Sequence, residues 1–135
     1  MQNYLSATIF VVILLLIYAC GYDSGTGPNN ATPTLSTFSS IQDNVFTPSC
    51  AVSGCHNGTQ PPRLSRGFAF NSIVNVRSTT NLDYIEPGNA NSSYLYRKIT
   101  GSGITGVRMP NGRPPLSAAI IDSIEVWIEN GALNN

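Results

Sequence analysis

Charged side chains are scarce in this chain: seven Lys or Arg and seven Asp or Glu among 135 residues, 10% in all, sum to zero at neutral pH. A surface that binds nucleic acid needs a basic excess to displace counterions from phosphates, so that class is excluded. Histidine is reduced to a single residue, His56, which leaves no second imidazole for acid–base catalysis. Cysteine occurs three times, methionine twice and tryptophan once. Turn-forming residues, by contrast, are plentiful, with 12 Gly and 9 Pro, so much of the backbone lies in loops and one small domain is expected. A chain of this size hides only about two-thirds of its unfolded surface, and a large apolar cofactor would add to such a core.

Two of the three thiols and the lone imidazole fall within seven residues, Cys50-Ala51-Val52-Ser53-Gly54-Cys55-His56. Two cysteines followed directly by a histidine can hold c-type haem: each thiol adds across a vinyl group of the porphyrin, and the imidazole reaches the iron from one face. Four residues separate the cysteines here, where two are usual. A short-loop disulfide beside a surface histidine is the plainer alternative. A zinc site would draw three ligands from Cys50, Cys55 and His56, with no fourth evident nearby.

The first part of the chain reads as a targeting segment. Ile9 to Tyr18 is an unbroken apolar run, short for a membrane span of about 20 residues but suited to a signal-peptide core. Its end, Ile17-Tyr18-Ala19-Cys20, resembles the lipobox of bacterial lipoproteins, which implies cleavage before Cys20 and acylation of its thiol. The n-region lacks Lys and Arg, and Tyr18 is bulky for this motif; an uncleaved anchor or an ordinary signal peptide are the alternatives. Acylation would use the odd thiol and leave Cys50 and Cys55 as a pair. Residues 20–36 are rich in Gly, Pro, Ser, Thr and Asn with one charge, Asp23, a composition that makes a tether rather than a fold. Gly21, rather than Asp, follows Cys20, which by resemblance to bacterial sorting points to the outer membrane. The expected division is therefore 1–19 signal peptide, 20–36 lipidated linker and 37–135 folded domain.

Within 37–135 the apolar pattern is helical. Phe38, Ile41 and Val45 recur at helical spacing with Phe46 beside them; Ser40 and Asp43 read as a capping box, and Pro48 as the stop before Cys50. A short helix is expected over Arg66 to Val74 with Ser65 as its N-cap, and a turn at Glu86-Pro87-Gly88-Asn89. A third helix should run from an Asn91 or Ser92 cap to Thr100, with Leu95 and Ile99 inward and Gly101 as its left-handed close. Gly101 to Pro115 is a long irregular segment of the kind that tends to be functional, and it carries Met109 between Arg108 and Pro110. The clearest helix is Ala118 to Asn130, capped by Ser117 and stopped by Gly131, with Ile120, Ile121, Ile124, Trp127 and Ile128 on one face. No convincing strand pairs are present, so the fold class is all-α.

Residues from about Phe38 to Ala132 resemble a monohaem cytochrome c domain of bacterial lipoproteins. The resemblance rests on Val45-Phe46-Thr47-Pro48-Ser49-Cys50 before the haem motif, then in order Pro87-Gly88, Ser93-Tyr94-Leu95, Arg108-Met109-Pro110 and Trp127-Ile128-Glu129-Asn130-Gly131-Ala132. It implies a small cytochrome c-like helical domain wrapped around one covalent haem c. Thioethers at Cys50 and Cys55, His56 as proximal ligand and Met109 as distal ligand follow from it. The chain after the signal segment offers one His and one Met, which suits a low-spin electron-transfer haem. With both axial positions filled, such a protein passes single electrons to redox partner proteins and catalyses nothing by itself. Arg108 and Arg113 flank Met109 and are candidates for pairing with haem propionates as much as for plain solvation. Two other readings stay open: a non-haem binding or structural lipoprotein with a Cys50–Cys55 disulfide, plausible in an oxidising compartment, and a peroxidase-like haem enzyme with a labile distal ligand.

Overall fold

In the computed structural model, residues 37–135 are described. The expected signal segment, Cys20 and the linker to residue 36 lie outside the described residues. Among the described residues the fold is helical, with no β-strand and two isolated bridges, Val74 to Ile85 and Arg77 to Asp83. No helix among them is long and apolar enough to cross a membrane.

The first helix, α1 (Phe38–Ile41), is capped by Thr37, whose hydroxyl accepts from the Ser40 amide at 3.2 Å. Ser40 therefore lies inside the helix and not at its cap. Asp43 is likewise interior, paired with Arg66 at 2.5 Å. The chain then winds wider, as a π-helix over Gln42–Cys50, closed by the Ala51 amide on the Phe46 carbonyl at 2.7 Å. Pro48 sits within this segment instead of ending it. In an α-helix its ring would press on the carbonyl four residues back, a clash that the looser i to i+5 winding relieves. Ile41 at the end of α1 and Val45 and Phe46 of the π-helix are buried.

Beyond the thiol-bearing turn, the second helix is shorter than the apolar pattern suggests: α2 is Ala69–Ile73. Ser65 begins the preceding turn through its carbonyl, which accepts from the Phe68 and Ala69 amides, while its hydroxyl donates to the Asn57 carbonyl at 2.9 Å. Phe68 therefore stands at the N-cap position of α2, and no side chain caps the helix. Residues 74–86 then fold back on themselves, with Asn75 N–H on the Ile85 carbonyl at 3.0 Å and Tyr84 N–H on the Val76 carbonyl at 2.8 Å.

That loop starts the next helix. A 3₁₀ turn, Ala90–Ser92, is capped by Asn89 and leads into α3, Tyr94–Thr100. The α3 amides of Tyr94 and Leu95 are satisfied by the Asp83 and Tyr84 carbonyls, both at 2.9 Å, in place of the side-chain cap that the sequence suggests. Ser93, fully buried, turns its hydroxyl to the 86–89 turn, accepting from the Glu86 amide and donating to the Asn89 carbonyl, each at 2.9 Å. Gly101 closes α3 at φ 80°, the left-handed position expected of it.

The last helix, α4 (Ala118–Glu129), has Ser117 as its N-cap and Asn130 at its end. Ile124, Trp127 and Ile128 are buried, with Ile120 and Ile121 half-buried beside them, as the 3.6-residue period requires. Trp127 and Phe38 rings meet at 5.6 Å, and Phe38 also stacks edge-on with Phe46 and Phe70. Asn135 completes this end of the core, its side-chain and main-chain oxygens accepting from the Phe38 and Ser39 amides, each at 2.9 Å.

Candidate functional site

A cleft of about 220 Å³ with mostly apolar walls opens into the fold. Val45 and Phe46 of the π-helix, Leu95 and Ile99 of α3 and Ile124 of α4 line it, together with Leu64, Leu116 and the Tyr84 and Tyr94 rings. Cys50, His56 and Met109 also line it, brought to one space from the end of the π-helix, the turn after it and the long loop before α4. Cys55, by contrast, is exposed on the turn and is not among the lining residues. Cys50 and Cys55 are both free thiols.

Local bonding explains how the turn carries its groups. The His56 amide donates to the Cys50 carbonyl at 3.1 Å, folding the heptapeptide back on the end of the π-helix. Gly54, at φ 79° and with open space around its Cα, makes the tight reversal that a side chain would strain. Burial pushes the Cys50 thiol up to about 11; the Arg113 charge opposes that, and Cys55 adds a little to it. Cys50 therefore meets the cleft as a neutral thiol.

The imidazole is oriented by a main-chain oxygen. His56 Nδ1 lies 3.1 Å from the Pro62 carbonyl, and a carbonyl can only accept, so Nδ1 carries the proton. The lone pair of the neutral ring is then on Nε2, the nitrogen left to bind a metal. The Leu64 amide donates to the His56 carbonyl at 2.7 Å, and the buried Gln42 side chain donates to the Leu64 carbonyl at 3.0 Å and to the Thr47 hydroxyl at 3.0 Å. The histidine turn is thus tied to the π-helix through Gln42. Its Oε1 is buried with no hydrogen-bond partner.

Met109 is half-buried against the core. Its loop is fastened to the end of α3: the Met109 amide donates to the Lys98 carbonyl at 2.8 Å, Arg108 Nε donates to the Ile99 carbonyl at 2.7 Å, and Lys98 Nζ donates to the Val107 carbonyl. Of the two arginines that flank Met109, Arg108 is therefore engaged with the helix, and Arg113 acts electrostatically on Cys50.

Tyr84, Tyr94, Lys98 and Gln42 were not singled out as site residues by the sequence. Tyr84 is 9% exposed, and its phenol is raised by burial and by neighbouring Tyr94, ring to ring at 6.3 Å. An aromatic pair separated by ten positions of turn-rich chain carries no periodic signal. Among the described residues, no group of three or more His, Cys, Asp and Glu side chains is gathered to hold a metal ion. The lining residues whose side chains carry a nitrogen or sulfur lone pair suited to a metal include Cys50, His56 and Met109. Comparison with protein-family models, curated proteins and solved structures finds no match for this chain.

Proposed function

We propose that residues 37–135 are a monohaem c-type cytochrome that passes single electrons, carried outside the cytoplasm on a lipid at Cys20. The observation that supports this most is the convergence of His56, Met109 and Cys50 on one apolar cleft from positions far apart in the chain. The donor set fits the group: imidazole nitrogen and thioether sulfur are the His/Met pair of electron-transfer haems, and that pair favours ferrous iron. Bound haem would supply the one-electron chemistry.

The chain's own residues do the rest. Pro62 holds the His56 ring in the tautomer with Nε2 free, and the loop bonds to α3 hold Met109 at the cleft. Val45, Phe46, Leu95, Ile99 and Ile124 exclude water from the site. Cys50 would form its thioether from the cleft wall, and Cys55, exposed on the turn, would have to turn inward to form the second. At about 220 Å³ the cleft is below the roughly 300–1,000 Å³ of most small-molecule sites, so its walls would have to part to admit a porphyrin. With His56 and Met109 both holding the iron, a bound haem would have no open site for substrate, which is why a carrier is proposed over a peroxidase-like enzyme.

The test is attachment. The exported full-length protein should be coloured, should keep haem through acid-acetone extraction and denaturing electrophoresis, and should lose it in the Cys50→Ala, Cys55→Ala double variant. A colourless product with a Cys50–Cys55 disulfide would overturn the proposal in favour of a binding or structural lipoprotein. Labelled palmitate should enter the wild type and not Cys20→Ala; its absence from both would remove the lipid anchor and leave the cytochrome reading standing.

A further inference from the structure

We propose that Arg108 is a positioning residue, a strut from the end of α3 that holds Met109 at the cleft, and that Gly101 is glycine partly to let it pass. The proposal rests on Met109 being the distal ligand, and its test separates the two.

The last carbonyls of a helix have no partner within it. In α3 two of them are taken by the methionine loop itself: Lys98 accepts from the Met109 amide, and Ile99 accepts from Arg108 Nε. The sulfur-bearing residue is thus tied to α3 by its own main chain and by its neighbour's side chain, and Leu95 and Ile99 of the same helix line the cleft. Arg108 lies against Gly101. A Cβ built there would stand 3.2 Å from Arg108 Cδ and 3.6 Å from its Cγ. Gly101 also has φ 80°, so a side chain would be strained by the backbone and would crowd the strut. One residue therefore closes the helix and makes room for the arm that fixes the loop. Arg108 Nε makes this bond from the side-chain nitrogen nearest the chain, which Gln can reproduce because its amide nitrogen stands the same number of bonds from Cα.

The experiment uses the holoprotein with three variants, Arg108→Leu, Arg108→Gln and Gly101→Ala. Far-ultraviolet circular dichroism and retained covalent haem establish folding. The readouts are the near-infrared sulfur-to-ferric-iron band, carbon monoxide binding to the reduced form, and hydrogen exchange of the Met109 amide. Loss of a hydrogen bond from a charged donor corresponds to about a tenfold rise in the detached population. Arg108→Leu and Gly101→Ala should therefore speed carbon monoxide binding and Met109 amide exchange about tenfold, with Arg108→Gln close to wild type. Arg108→Leu indistinguishable from wild type in exchange would overturn the proposal. So would Arg108→Gln as loose as Arg108→Leu, because the charge rather than the placed donor would then be responsible. A wild type that lacks the sulfur band sinks Met109 as a ligand, while amide exchange still decides whether Arg108 holds the loop.

Discussion

Replacing Gln42 by Glu changes one atom and should convert a tie into a pH-dependent fault. Gln42 is 3% exposed, its Nε2 donates to Thr47 Oγ1 and to the Leu64 carbonyl, each at 3.0 Å, and its Oε1 has no partner. In the variant, Gln42→Glu, an anionic oxygen would face the Leu64 carbonyl at that distance, with only the Thr47 hydroxyl able to donate to it. Burial without a counter-charge raises a carboxyl by several units, and three units above the usual value near 4.3 correspond to about 4 kcal/mol. The sign follows from the raised folded-state value. Protonated, the carboxyl can donate to Leu64 and nearly restore the original contact, so stability is retained below the unfolded value. It is lost as pH rises through the folded one. Urea melts of the full chain should therefore place the variant within about 1 kcal/mol of wild type near pH 4 and about 4 kcal/mol below it at pH 8. Curves that stay parallel across this range, or that diverge on acidification, would refute the account of Gln42 as a buried donor to the histidine turn.

Met109→Ala should leave haem covalently attached, abolish the near-infrared sulfur band, lower the reduction potential and let the reduced protein bind carbon monoxide, as spectroscopy and redox titration would read. Tyr96 donates to Glu125 at 2.8 Å, and burial first, then that bond and the charges of Glu125, Asp122 and Glu129, push its phenol up to about 12. Because the folded form keeps its proton longer, the Tyr96 contribution to stability should be full below about pH 10 and be lost between about 10 and 12, so thermal melts of Tyr96→Phe should fall less steeply over that range than those of the wild type. Trp127→Ala removes a ring that is 1% exposed and donates to the Leu133 carbonyl at 2.9 Å, and should cost about 3–5 kcal/mol in chemical denaturation.

Scarcity made the candidate ligands legible in the sequence. One histidine beside two thiols, and one methionine outside the signal segment, left no competing choice of residue. The helical class and the span of α4 were legible for a different reason. Ile124, Trp127 and Ile128 repeat at the helix period, Ser117 and Gly131 mark the ends, and these signals lie within a dozen residues of one another. Gly101 was legible as a cap because a left-handed residue suits glycine whatever surrounds it.

What the tertiary structure alone decided lies between distant residues. The Leu64 carbonyl that accepts from Gln42, the Pro62 carbonyl that turns His56, and the Asp83 and Tyr84 carbonyls that start α3 are main-chain oxygens, identical at every position in a sequence. The π-winding of Gln42–Cys50 differs from an α-helix by one residue per hydrogen bond and has no composition of its own, so Pro48 looked like a stop when it was an interior residue. Ser65 and Ser92 looked like caps because hydroxyls prefer such positions, yet a hydroxyl bonds to the nearest good partner, and for Ser65 that partner was Asn57 across the turn. That Cys50 faces the cleft and Cys55 is exposed depends on which way a turn of four residues reverses, which spacing alone does not fix. Periodicity reports on a residue and its near neighbours; a cleft whose walls come from a π-helix, two α-helices and three loops exists only once the chain has closed around it.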